Sequence, residues 1–283
     1  MGGSFLVPWR IRDSFFVLLW STLASIGIFV LWGIILGFEV AFRGVVTTSA
    51  EWEESFKAFY SSSPWLDIFL VLQSLLVLRF VWTLLLKPWS VQFKDFIVPG
   101  QAASDARAAI KMFFGCLVAS LSIMIGILAF IVAINLVMGR DPTRWIQAYH
   151  QGIQRESRSL IGANVGIIRI VPLIFLGPPI EELLYRGCLY GALRKRFLPW
   201  QANGLSSCVF ALSHGYLFGF PNVLMLGILA AWAYQKTGSL RTPVLFHMFW
   251  NAFCLSFVKP VLWIPLIGAI TVLTLWTRKA APC

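Results

Sequence analysis

Three short patterns in the second half of the chain hold residue types that can do chemistry. The first runs Gly177-Pro178-Pro179-Ile180-Glu181-Glu182-Leu183-Leu184-Tyr185-Arg186. Glu182 and Arg186 are four residues apart with the acid first, the favourable order for an ion pair along a helix. That pair reads as a structural bridge between helices. Glu181 projects about 100° away from Glu182 and has no local partner, so it is the acid free to act. Pro178 and Pro179 are expected to break or kink the helix before them. A helix restarting there would hold both acids in its first turn, near the positive end of its dipole. The second pattern is Phe210 to His214, and the third is His247 to Asn251. Each is an i, i+4 pair on one helix face, and His247 and Asn251 can both donate hydrogen bonds. Either alone fits a helix–helix hydrogen bond. Together they carry more, because the chain has 3 His and two of them lie in apolar stretches; His150 sits in a polar loop.

A carboxylate and an imidazole facing one water make a general base, and a second imidazole with an amide can donate to a developing oxyanion. That set suits hydrolysis of an amide bond. Other readings use the same residues. Glu181, His214 and His247 could hold zinc with an open fourth position, although no HExxH helix is present. A thiol protease would need Cys188 or Cys254, and neither has a clear base beside it. A non-enzymatic membrane scaffold or immunity factor would use none of this chemistry. A channel or transporter lined by Arg79, Arg169, Glu181 and Glu182 would be expected to show an internal repeat, and none is visible.

The elements that must position these groups are apolar helices. Of 283 residues, 58% are hydrophobic and 12% charged, with a mean hydropathy of +0.78. This excludes a soluble globular enzyme, a disordered chain and a collagen-like chain, and points to an all-α polytopic membrane protein. About eight spans are expected: 14–38, 65–86, 112–138, 161–184, 202–220, 222–234, 243–258 and 261–276. Residues 1–158 form an N-terminal region of three spans and interfacial loops, with little chemistry of its own. Residues 159–283 form the catalytic core and a last helix, with the motifs between about 165 and 258.

The net charge of +11 belongs to loops that set topology and touch anionic lipid, not to nucleic-acid binding. With an even number of spans, 14 Lys and Arg fall on one side and 7 on the other, which places both termini in the cytosol. The third loop, with four Arg on the sparser side, runs against that count. In it Trp145, Tyr149 and Ile153 recur every four residues, the pattern of an amphipathic helix lying on the membrane surface. The 5 Cys show no CxxC spacing, so neither a disulfide framework nor a metal finger is expected.

EExxxR, FxxxH and HxxxN, in this order on successive apolar helices, resemble the CPBP family of intramembrane glutamic endopeptidases, which includes CAAX proteases and bacteriocin-processing and self-immunity proteins. The stretch from Gly177 to Glu182 resembles the helix entry of the CAAX-cleaving branch. So does Thr237-Gly238-Ser239-Leu240 leading to Pro243 and His247. The resemblance implies that Glu181 activates water with His214 as its partner, and that His247 and Asn251 form the oxyanion hole. It implies that Glu182 and Arg186 position Glu181 and tie helices together, while Phe210 packs the site. It implies no metal and no cofactor. The substrate would be a membrane-anchored or prenylated protein or peptide, cut near its terminus by CAAX-type or related processing. The site would be a conical polar cavity, open to the cytosolic leaflet or laterally to lipid.

Overall fold

The computed structural model describes residues 7–42, 64–161, 170–257 and 260–279, and every regular element among them is helical. Arg43, Lys57 and Lys259, which enter the charge count, and Arg169 with the other first residues of the expected fourth span lie outside the described residues. In chain order the helices are α1 (Ile11–Phe42), α2 (Pro64–Phe80, prolonged by wide π-helical turns over Val81–Leu86), α3 (Ala102–Val137) and α4 (Thr143–Ile161). Then come α5, a composite described below, α6 (Pro199–Ser213), α7 (Phe220–Thr237), α8 (Arg241–Ser256) and α9 (Trp263–Lys279).

Three helical stretches among the described residues are long and apolar enough to cross a membrane: Leu70–Trp89, Ala102–Val137 and Pro260–Arg278. Their outward faces are apolar, as at Val118, Ile125 and Phe130 on α3 and Ile264, Ile267 and Val272 on α9. Hydrocarbon is the solvent that such faces require. The chain is an integral membrane protein. At 36 residues, α3 starts about ten residues before the expected span, because Asp105, Arg107 and Lys111 interrupt hydrophobicity but not helix. The helices α6 and α8 have 15 and 16 residues, fewer than the roughly 20 that a full crossing takes.

The composite α5 departs from expectation. A π-helical stretch, Val171–Leu176, runs into an α-helical segment, Gly177–Glu182, then a second π-helical stretch, Leu183–Tyr190, and a final turn, Gly191–Leu193. The prolines do not break the helix. Wide turns absorb them, with Gly177 N–H reaching back to Pro172 O. Glu181 and Glu182 therefore lie inside a continuous helix rather than in the first turn of a new one. The expected help from a helix N-terminus is absent.

The main hydrophobic core of the described residues brings Val7 and Trp9 together with Leu85, Phe113, Leu184, Tyr190, Phe210, Tyr234 and Phe246. The Trp9 indole and the Ser14 hydroxyl both donate to Cys188 O at 3.3 Å, and Lys195 Nζ returns to Trp9 O at 2.8 Å. Helix α8 is anchored at its start by α3. Asp105, fully buried, accepts from Ser239 Oγ at 2.9 Å and from Thr242 Oγ1 at 3.0 Å, with Arg241 Nη1 at 3.4 Å. The preceding turn is closed by Gly238 at φ 68°, whose N–H bonds Tyr234 O at 2.8 Å.

The amphipathic helix expected in the third loop is α4. It is opened by Asp141, which accepts from Thr143 N at 2.9 Å and Thr143 Oγ1 at 2.6 Å. Those bonds from Thr143 hold the Asp141 carboxyl below its ordinary range.

Candidate active site

Six of the seven residues singled out in the sequence meet where α5, α6 and α8 converge, and Asn251 lies one turn further along α8. The centre is Phe210, fully buried on α6. The Arg186 guanidinium lies over its ring at 4.3 Å. The rings of His214, Tyr185 and His247 stand edge-on to it at 4.6, 5.1 and 5.8 Å. Its carbonyl also works, accepting from His214 Nδ1 at 2.8 Å and from Ser213 Oγ at 2.8 Å. Tyr185 OH donates to that Ser213 hydroxyl at 2.8 Å.

The two acids divide as their positions on the helix require, with one addition. Arg186 Nε approaches Glu182 Oε2 at 3.1 Å, and both side chains are buried. Arg186 Nη2 also donates to Gly227 O at 3.2 Å. The close approach of α6 and α7 there needs glycine, since a Cβ on Gly227 would stand 3.0 Å from Ser207 Cβ and 3.2 Å from the Phe210 ring. The bridge expected between Glu182 and Arg186 is thus present, but Glu182 does more. Its Oε1 takes the Nδ1 of His247 at 2.9 Å. Nothing in the sequence links these residues, which are 65 positions apart.

Glu181 faces the imidazoles. Its Oε2 lies 3.7 Å from His214 Nε2 and 3.9 Å from His247 Nε2. These separations are too long for direct hydrogen bonds. Oε2 is shielded from solvent and takes no hydrogen bond from the described residues. Both ring orientations follow from bonds on the far side. A carbonyl and a carboxylate can only accept, so each Nδ1 carries the proton and each Nε2 is turned to Glu181. The Glu181 side chain keeps 35% exposure and His214 24%, against 2% for His247, so access is from the Glu181–His214 side.

Asn251, one turn beyond His247, donates Nδ2–H to Leu173 O at 2.8 Å. Pro178 explains why that carbonyl needs a donor. In a π-helical run its partner would be the N–H five residues on, and proline has none. The amide keeps a second N–H. Among the described residues, no group of three or more His, Cys, Asp or Glu side chains is arranged to hold a metal ion. The free thiols of Cys188 and Cys254 belong to other surroundings, Cys188 buried in the core and Cys254 exposed on α8.

Two supports come from the N-terminal half, where the sequence shows little chemistry. Asp105 fixes the start of the helix bearing His247 and Asn251. Glu156 on α4 binds the segment that follows His214, accepting from the N–H groups of Leu217, Phe218 and Gly219 at 2.7 to 2.8 Å. A legible signal exists for Glu156, since it shares the helix face of Tyr149 and Ile153 and a carboxylate on an apolar face wants a partner. No pattern marks Asp105.

Residues 163–253 match the family described as Type II CAAX prenyl endopeptidase Rce1-like. The chain is 30% identical over 113 residues to the protein named "Putative membrane peptidase YdiL" of Bacillus subtilis (strain 168), covering 38% of this chain and 46% of that one. It is 29% identical over 102 residues to the "Membrane-embedded CAAX protease MroQ" of Staphylococcus aureus (strain USA300), covering 32% of this chain and 41% of that one. The matched stretch is thus under half the length of either relative. No solved structure matches the chain significantly. The stretch that matches runs from just before the composite helix to just past Asn251 and so takes in all seven site residues.

Proposed function

We propose that the protein is an intramembrane endopeptidase of the glutamic type, within a polytopic arrangement of about eight spans with both termini cytosolic. It hydrolyses a peptide bond near the terminus of a membrane-anchored or prenylated protein or peptide. The observation that carries this reading is the approach of Glu181 Oε2 to two Nε2 atoms at 3.7 and 3.9 Å, with each ring held by its Nδ1. The matched family and the name of the Staphylococcus aureus relative support the substrate class, and the name of the Bacillus subtilis relative supports a membrane peptidase.

In this mechanism a water held between Glu181 and His214 loses a proton to Glu181 as its oxygen attacks the scissile carbonyl carbon. The carbonyl oxygen becomes an oxyanion and is met by donors on α8. One is the spare Nδ2–H of Asn251. The other is His247 Nε2–H, which exists only when that ring is an imidazolium, a charge that Glu182 balances at 2.9 Å. When the C–N bond breaks, the proton on Glu181 passes to the departing nitrogen and Glu181 is restored. No cofactor takes part.

The decisive experiment compares membranes from cells carrying wild type and Glu181→Gln, mapping protein and peptide termini by mass spectrometry. Termini absent only in the variant support proteolysis and name the substrate. Identical maps from two folded, expressed proteins overturn it. With a substrate in hand, purified enzyme should keep its rate in a strong zinc chelator. A loss restored by zinc would instead favour metal hydrolysis by Glu181, His214 and His247.

A further inference from the structure

Helix α4 carries a contact surface on one side. Tyr149, Gly152, Ile153 and Glu156 recur at i, i+3, i+4 and i+7 and share one face. That face does not lie wholly on lipid, as the sequence suggests it would. It meets the connection between His214 and α7, residues 215–219. The Phe218 ring stands edge-on to Tyr149 at 6.0 Å and covers Gly152 so closely that a Cβ there would lie 2.5 Å from it. Glu156 completes the contact. Oε1 accepts from Leu217 N at 2.7 Å and Phe218 N at 2.8 Å, and Oε2 accepts from Gly219 N at 2.8 Å. A carboxylate taking three successive backbone N–H groups makes charge-assisted bonds, about twice as strong as neutral ones.

His214 stands at the other end of this short connection. It is the last residue of α6 to keep helical geometry, and Gly215 after it turns left-handed at φ 68°. The turn is closed by two bonds of ordinary to long reach, His214 N to Ala211 O at 3.3 Å and Gly215 N to Leu212 O at 3.1 Å. Side-chain bonds also hold this turn, His214 Nδ1 and Ser213 Oγ each reaching Phe210 O at 2.8 Å, but a last turn still frays where the chain beyond it is free. Residues on α4 fix that chain.

We propose that α4 is a strap across the site and that Glu156 is a positioning residue for His214. By gripping residues 217–219 it keeps the end of α6 wound and His214 Nε2 directed at Glu181. The proposal rests on the reading of Glu181 and His214 as the water-activating pair. It also means that the segment of family similarity, residues 163–253, depends on a helix outside it.

The chain has 3 His, so an imidazole nitrogen NMR spectrum of the full-length protein in lipid nanodiscs can be assigned by single substitutions. His247 serves as internal reference and His150, on α4, reports the strap. In Glu156→Ala the His214 signal should shift or split while that of His247 stays. With a substrate, kcat should fall about tenfold or more with KM within about twofold. Glu156→Gln, which keeps one acceptor oxygen, should fall between. Gly152→Val drives a wedge against Phe218 without touching Glu156 and should give the same signature. Phe218→Ala in that background should reverse it. An unmoved His214 signal in folded Glu156→Ala overturns the strap, and so does a His247 signal that moves as far as that of His214. Where Glu156→Ala does not fold, an unmoved His214 signal in Gly152→Val overturns it instead. If wild type cleaves nothing yet His214 still follows Glu156, the protease reading fails and the strap stands.

Discussion

His247 donates its Nδ1–H to Glu182 Oε1 at 2.9 Å, joining α8 to α5 in the middle of the site. The same Glu182 receives Arg186 on its other oxygen at 3.1 Å. One buried carboxylate thus holds a structural cation and an imidazole proposed to act on the reaction. Glu182→Gln keeps an acceptor for His247 but removes the charge that balances both. The expected result is a fall in kcat of about a hundredfold with a lower melting temperature, whereas Glu181→Gln should abolish turnover with the melting temperature nearly unchanged. Kinetics and thermal melts on the two purified variants check the contrast.

Arg186→Ala leaves Glu182 buried with its cation gone and removes the guanidinium from the Phe210 ring. Truncating one partner of a buried pair costs about 3–5 kcal/mol. The yield of folded protein and its melting temperature should drop sharply. A well-folded variant of normal stability would contradict the role assigned to this pair.

Asn251 has a structural bond, to Leu173 O, and a proposed catalytic one. The two can be separated because Pro178 is the reason that carbonyl lacks a helical donor. Asn251→Ala should lose about a hundredfold in kcat and about 1–3 kcal/mol of stability. Adding Pro178→Ala supplies an N–H to Leu173 O and should return stability without returning kcat. Recovery of both would mean that Asn251 acts only as a tie.

Asp105 gathers two hydroxyls and a guanidinium at the start of α8 while lying on α3. Asp105→Ala strands those donors and should destabilise the protein by about 3 kcal/mol, with Asp105→Asn milder. The loosened start of α8 should also lower kcat, read on the same substrate. Unchanged melting in Asp105→Ala would remove this anchor from the account.

The residues of the site are legible in the sequence because membrane chemistry makes them conspicuous. Glu181, Glu182, His214 and His247 stand in stretches where a polar group costs several kcal/mol unless it is satisfied or used. Helical spacing then pairs Glu182 with Arg186, Phe210 with His214 and His247 with Asn251, since i and i+4 share a face whatever the tertiary fold. The all-α class follows as directly, because a chain with so few charges must satisfy its backbone internally.

Three things are decided only by the folded chain. The first is the behaviour of Pro178 and Pro179: proline forbids an i→i−4 bond but not a wider turn, and packing of α5 against its neighbours selects the π-helical path over a break. The second is which partner each polar group takes. Glu182 can reach His247, and Glu156 the residues after His214, only once helices 65 and about 60 positions apart are laid side by side. The third is support from the N-terminal half, where Asp105 is an ordinary acid in sequence and the apolar face that Glu156 shares does not name its partner. Hydrogen bonds act over about 3 Å and helical periodicity over one or two turns, so contacts between distant helices leave no periodic trace in the sequence.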